Sequence, residues 1–458
     1  MLARRRRRSL LESGFSQPLP NGRGSVSSLI ALALVLAGSL HAEVKVLRNF
    51  TLIDGTGRPP VAGSSMIIDN GRISWVGATS QLKVPAGAET VDLTGKFVTP
   101  GIINLHGHVG NTIDLVQDGK NFTRKNIDAN LHTYALYGVT TVLSMGTDQD
   151  LIFQVRSEQR AGRPSVARVY TAGFGFVYTG GYGGLAGTTP SYSKVEEIEP
   201  AVQKLAMQKV DFVKFWLDDE LGKFPKMPPA MSKAIIDSAH KRNLRVLAHV
   251  FYLEDAKRVV DQGVNGLVHL VRDKPVDQAL IDGMKKQGTW QVAATLSREA
   301  SMFAYAHTPA FASDPFFKRG VSQATLNLLA SPDRQKTIAS DPHFQQYPAI
   351  LETAKKNIKR LADAGVKFGF GTDTGPPGRF PGYGEHWEME LLVESGLTPM
   401  QALTSATRDA AEFLGAKDLG TLEVAKWADL VVLNANPLAD IRNTRSISSV
   451  YIAGNPVK

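Results

Sequence analysis

Two histidines with one residue between them close an apolar run, Gly101-Ile102-Ile103-Asn104-Leu105-His106-Gly107-His108. Such a run reads as a β-strand, in which residues i and i+2 face the same side, so His106 and His108 can offer two imidazoles to one metal ion. Ten histidines in 458 residues would give ~0.2 such pairs by chance, so the pair alone decides little. The rest of the chain adds a lysine, two histidines and an aspartate, each at the end of a later strand-like run: Lys214, His249, His269 and Asp373.

Those runs set the expected fold. Between residues 98 and 415, strand-like stretches alternate with amphipathic helical ones, the pattern of an α/β protein with a (β/α)8 TIM-like barrel. The predicted strands are Val98–His108, Val139–Met145, Ala167–Phe176, Phe212–Leu217, Arg245–Phe251, Gly266–Val271, Trp290–Leu296 and Lys367–Thr372. Residues 43–97 and 416–458 instead alternate in period two between Gly, Pro and Asn turns, so the chain ends are expected to pair as a small β-sandwich domain. In a parallel barrel the C-terminal strand ends share one face, which would make distant candidates neighbours.

Composition narrows the chemistry. There is no cysteine, which excludes disulfides and thiolate sites and leaves nitrogen and oxygen to hold any metal. More than half of the formal charge of +9 comes from residues 1–42, where Arg4 to Arg8 and Arg23 face Glu12. The remainder is ordinary for its size, and with no basic stripe interleaved with aromatics nucleic acid is not an expected partner. The arginines precede a short apolar run, Leu29 to Ala37, and small residues up to Ala42. This reads as a signal peptide over 1–42 and an exported protein, periplasmic or secreted; the run is too short for a stable membrane span.

The order His-x-His, Lys, His, His, Asp resembles the amidohydrolase superfamily, in its subtype with two metal ions and a carboxylated lysine. Val98-Thr99-Pro100-Gly101-Ile102-Ile103, Gly138-Val139-Thr140-Thr141, Gly371-Thr372-Asp373 and Ala428-Asp429-Leu430-Val431-Val432-Leu433 resemble its imidazolonepropionase-like and prolidase-like branch. The resemblance implies that His106, His108 and Asp373 bind one divalent metal ion and His249 and His269 a second, with zinc expected. Lys214 would carry a CO2-derived carbamate bridging both. It further implies hydrolysis of an amide bond by a metal-bridging hydroxide, with Asp373 as general base and acid, on a small-molecule substrate: a dipeptide or an N-acyl amino acid. A homo-oligomer is expected. A cyclic amide, a lactone or an ester could be opened by the same site, and an inactive binding protein on the same barrel is the reading from another class.

Each candidate also has a plainer reading. His249 and His269, taken singly, would be satisfied core histidines, and Asp373 a turn or capping residue before Gly375-Pro376-Pro377. Lys214 resists the plain reading, because an unpaired lysine in Asp211-Phe212-Val213-Lys214-Phe215-Trp216 is costly to bury. Tyr178 and Tyr182, in the Gly-rich stretch 173–184, are candidate substrate contacts on what could equally be an inert loop. His386 follows the eighth strand closely enough to face substrate. Arg272 could bind a substrate carboxylate or form an internal salt bridge. Asp218 and Asp219 could select a cationic group, but a turn-capping role is favoured. The aromatic-rich segment 297–348 reads as a lid, or as helices packing on themselves.

Overall fold

The computed structural model describes residues 44–458; the expected leader over 1–42 lies outside the described residues. The chain begins with strands β1 (Val44–Leu52), β2 (Val61–Asp69), β3 (Arg72–Ala78), β4 (Glu89–Asp92) and β5 (Phe97–Pro100). β1, β2 and β3 form an antiparallel meander. The Asn70-Gly71 turn joins β2 to β3 with φ of 48° and 80°, the left-handed pair that a two-residue hairpin loop requires.

Strands and helices then alternate. They are β6 (Ile102–Gly107), α1 (Arg124–Leu136), β7 (Val139–Ser144), α2 (Leu151–Ala161), β8 (Arg168–Thr171), α3 (Ile198–Met207), β9 (Val213–Leu217), α4 (Pro229–His240), β10 (Val246–Val250), α5 (Leu253–Asp261), β11 (Gly266–Val268), α6 (Gln278–Gln287) and β12 (Trp290–Ala293). Their pairings are parallel and give two sheets, β8-β7-β6 and β9-β10-β11-β12. Parallel bridges from Phe176 to Phe215, Gln291 to Phe368 and Gly107 to Thr374 extend the pairing beyond the regular strands.

All eight expected strands are shorter than predicted, and in three of them glycines mark the irregularity. The run Val98–His108 divides at Gly101, so that β5 joins the terminal sheet while β6 opens the parallel layer. Ala167–Phe176 keeps regular pairing only over β8, because Gly173 turns the backbone to φ 63°. Lys367–Thr372 is irregular, yet Gly369 N–H donates to the Gln291 carbonyl at 2.9 Å and Leu105 N–H to the Phe370 carbonyl at 2.7 Å. It runs so close to β6 that a Cβ on Gly371 would lie 2.9 Å from the His106 nitrogen.

After β12 comes α7 (Leu296–Ala304), which opens the segment expected as a lid. Its aromatics pack against the rest of the fold as well as one another: Tyr305, Phe311, Phe316 and Phe317 cluster with Tyr137 and Tyr383 from outside the segment. The chain closes with β13 (Leu430–Leu433), β14 (Ile447–Ile452) and β15 (Asn455–Pro456). The two ends do meet, in one eight-stranded sheet ordered β15-β14-β13-β5-β1-β2-β3 with β4 beside β1. Leu47, Phe50, Met66, Ile68, Val98, Leu430 and Val432 form its core. No helix among the described residues is long and apolar enough to cross a membrane.

Candidate metal centre

Strand alternation places the central lysine. Val213, Phe215 and Leu217 on β9, and Val246, Ala248 and Val250 on β10, join one hydrophobic cluster, which turns Lys214, Leu247 and His249 to the opposite side. There Leu247 packs with Ile103, Leu105, Met145, Val268 and Val292, a dry inner layer beneath the polar residues. Fully burying one such aliphatic side chain is worth ~1.5–3 kcal/mol, so this layer fixes the register of the strands that carry the site. Lys214 is itself fully buried. Its Nζ has Met145 Sδ at 3.9 Å and the Trp216 ring centroid at 5.5 Å. Burial lowers its pKa to about 7, against the opposing pull of Asp373.

The other candidates converge above this layer. His108 Nε2 and His106 Nε2 lie 2.9 and 3.5 Å from the same oxygen of Asp373, Oδ1. The His106 ring is 4.8 Å from that of His269, which is 4.1 Å from that of His249. One ligand atom from each of His106, His269 and Asp373 fits within a 4.8 Å span. His269, Thr295 and Asp373 sit at φ 67°, 58° and 60°, a left-handed backbone that is rare outside glycine and gathers at functional sites. Gly375, at φ 116°, brings its Cα so close to His108 that a Cβ would meet the His108 carbonyl at 2.1 Å.

The electrostatics favour neutral imidazoles and an ionised carboxylate. Burial, and then the Lys214 charge, hold His106 well below the usual histidine range. His269 is depressed by burial and by His249, and burial brings His249 to about 4 despite Asp218. Burial would raise the Asp373 carboxyl, but Arg379 and the two neighbouring histidines hold it well below the ordinary value.

Three of the four rings are also oriented from behind. Asp218 Oδ2 lies 2.8 Å from His249 Nε2, Thr295 Oγ1 2.7 Å from His269 Nδ1, and Thr147 Oγ1 2.9 Å from His108 Nδ1. These contacts fix which nitrogen of each ring is left for a ligand, the job that outer hydrogen-bond partners do in metal sites. His106 Nδ1 is buried without a hydrogen-bond partner. Four imidazoles, one carboxylate and one amine poised near neutrality form a donor set suited to divalent metal.

Not every candidate belongs to this group. Tyr182 does: its ring lies 5.2 Å from His249, and with His106, His108, His249, His269, Asp373 and Arg379 it lines a cavity of about 270 Å³. Tyr178 does not line that cavity; it pairs with Tyr192 and packs on the hydrophobic core. His386 is corrected too. It is buried with Nδ1 at 2.8 Å from Thr444 Oγ1 and Nε2 at 2.9 Å from the Tyr137 carbonyl, so both nitrogens are used inside the fold. Arg272 takes the internal reading: Nη1 donates to the carbonyls of Val250 and Leu270 at 2.8 and 3.0 Å, and Nε lies 3.1 Å from Glu299. Asp218 caps its turn, accepting from Asp219 and Glu220 N–H on Oδ1, and holds His249 with its other oxygen. The site residues not foreseen are Thr147, Thr295, Arg298 and Arg379. A larger open cavity of about 750 Å³ beside Phe122, Asp148 and Lys204 shares none of the clustered histidines.

The chain belongs to the amidohydrolase family, whose profile matches residues 97–457, and it is a hydrolase of that family, in the branch with imidazolonepropionases and prolidase-like proteins. Among its relatives, ochratoxinase from Aspergillus niger is 23% identical over 474 aligned positions, spanning 93% of this chain and 89% of that one. Imidazolonepropionase from Streptomyces griseus is 22% identical over 408, spanning 86% and 92%. Among solved structures, a putative prolidase from Bifidobacterium longum superposes with a TM-score of 0.71 at 25% identity, covering 91% of this chain and 94% of that one. A Xaa-Pro dipeptidase with bound methionine gives 0.70 at 21% identity, covering 90% and 99%.

Proposed function

We propose that this chain is a metal-dependent hydrolase of a non-aromatic amide bond, acting on a dipeptide or an N-acyl amino acid. The observation that carries the reading is the convergence of His106, His108, Lys214, His249, His269 and Asp373, all buried, from distant segments of the chain. In this reading the two parallel sheets and the Lys367–Thr372 segment close as a (β/α)8 barrel, the terminal sheet forms the small sandwich domain, and the protein is exported and self-associates. Relatives that bear the names ochratoxinase and imidazolonepropionase, and structures titled prolidase, support hydrolysis of a carbon–nitrogen bond.

His106, His108 and Asp373 would hold one divalent ion and His249 and His269 the other, with Lys214 between them as a carbamate. Carbamylation needs a neutral amine, and a buried lysine with a pKa of about 7 supplies one that a solvated lysine does not. Metal bound here would supply an activated water and a Lewis acid for the carbonyl at neutral pH. Asp373 is ionised and placed against both His106 and His108, so its carboxylate can accept a proton from the attacking water and return it to the departing amine. Asp218, Thr147 and Thr295 keep the imidazoles in place. Tyr182 and the buried inner layer keep bulk water from the reacting bond.

The test is a mass-spectrometric screen of dipeptides and N-acyl amino acids against the zinc-supplemented chain. Cleavage at the amide bond in at least one class is expected. Hydrolysis of lactones or aryl esters alone, with every amide left intact, would overturn the reading.

A further inference from the structure

Asp373 takes its left-handed φ of 60° between two threonines, and both are clasped by one buried carboxylate, Glu385, that does not line the cavity. Glu385 stands in the first turn of the helix Tyr383–Glu394. Its Oε1 accepts from Thr372 Oγ1 at 2.8 Å, Thr374 Oγ1 at 2.7 Å and Asn104 Nδ2 at 2.6 Å. Asn104 Oδ1 in turn accepts from His106 N–H at 2.8 Å, and the Tyr134 hydroxyl lies 2.8 Å from Thr374 Oγ1. The other oxygen, Oε2, accepts from Gly382 N–H at 2.6 Å, which ties the carboxylate to its own helix. A Cβ on Gly384 would lie 2.4 Å from Thr374 Cγ2, so the glycine before Glu385 lets the helix come this near. Glu385, Thr372, Thr374, Asn104 and Tyr134 are all buried, and among the described residues no lysine or arginine pairs with Glu385.

Burying a carboxylate without a basic partner is expensive, and a left-handed residue persists only where its surroundings over-determine it. Both costs fall at one place. In an extended strand, residues two apart stand ~6.6 Å from each other; here the hydroxyl oxygens of Thr372 and Thr374 are 2.9 Å apart. The turn at Asp373 brings them together, and the single oxygen of Glu385 that accepts from both holds them there. We propose that Glu385 is a positioning residue of the metal centre: through Thr372, Thr374 and Asn104 it fixes the turn that aims the Asp373 carboxylate at His106 and His108. This rests on the metal-site reading and adds a residue to it. Glu385 is no ligand and takes no part in proton transfer. It acts as outer hydrogen-bond partners do, by holding the ligands of a metal in place.

The experiment uses the full-length chain, stripped of metal with a chelator and titrated with cobalt(II), whose visible spectrum reports ligand geometry. The variants are Glu385→Gln, Thr374→Val, which keeps the shape of the side chain but not the hydroxyl, and Thr374→Ser, which keeps the hydroxyl. Cobalt affinity, read by chelator competition, is expected to fall roughly ten- to a hundredfold in Glu385→Gln and in Thr374→Val, with weakened and shifted visible bands. Thr374→Ser is expected to keep the wild-type affinity and spectrum. Melting curves of the metal-free chains show which variants fold, and Thr374→Val decides the matter if Glu385→Gln does not. Folded Glu385→Gln and Thr374→Val chains with wild-type affinity and spectrum would overturn the proposal and leave the metal centre standing, as would an equal loss in Thr374→Ser and Thr374→Val. Unfolding of both Glu385→Gln and Thr374→Val would make Glu385 a residue of stability alone and overturn it too. A wild type that binds no cobalt would overturn the metal reading and this proposal together.

Discussion

A lysine inside a dry strand, with its pKa brought to about 7 by burial, is an amine that can react and a cation that has nowhere to go. In the proposed site, that makes Lys214 the residue on which metal binding would turn. Lys214→Ala is expected to lose most bound metal and all measurable turnover. Lys214→Glu, which restores a carboxylate at that point, is expected to recover part of the metal, read by elemental analysis of the purified variants. Asp373 differs, because in the proposed reading it would be both a ligand and a base. Asp373→Asn keeps an oxygen ligand but not the proton acceptor, so turnover is expected to fall by ~10²–10⁴ with much of the metal retained. Near-wild-type turnover in Asp373→Asn would remove Asp373 from proton transfer.

Between elements, the start of α7 is tied to the helix Tyr383–Glu394. Leu296 and Ser297 N–H donate to the Glu388 carboxylate at 2.9 and 2.7 Å, as does the Ser297 hydroxyl at 2.7 Å. The preceding residue is Thr295, whose hydroxyl faces His269. Burial raises the Glu388 pKa to about 7, although its donors pull the other way. A folded pKa raised above the unfolded value of 4.5 means that protonation favours the fold. The stability it contributes is complete below pH ~4.5 and is lost as pH rises through ~7, by on the order of 3 kcal/mol at most. Glu388→Gln is expected to flatten that part of the dependence of the melting temperature on pH. An unchanged slope would show that Glu388 does not titrate in this window.

The same elements show what was legible in the sequence. His106, His108, His249, His269 and Asp373 drew notice because each follows an apolar run, and Lys214 because it interrupts one; runs are what periodicity detects. Arg298, Arg379 and the positive φ at His269, Thr295 and Asp373 left no such mark. They depend on how loops cross above the strands, and no local spacing encodes that. His386 and Tyr178 were misplaced for the converse reason: closeness to a strand end in sequence does not say whether a side chain turns toward the cavity or into the packing between helices.

At the scale of the whole molecule, the six proposed donors come from distant segments of residues 44–458, so metal bound by them would be a brace for the fold as well as a reagent. Anything that binds the folded state alone stabilises it, by ~2.7 kcal/mol at a hundred times its dissociation constant. A chelator is therefore expected to lower the melting temperature by several degrees, and zinc to restore it; a melting temperature indifferent to both would speak against the shared site. The most direct measurement is carbon-13 NMR of the zinc-loaded chain in labelled bicarbonate, paired with metal counting. A protein-bound carbamate signal present in wild type and absent in Lys214→Ala, together with two ions per chain, is the predicted result. Two ions bound with no carbamate signal, or a signal that persists without Lys214, would contradict it.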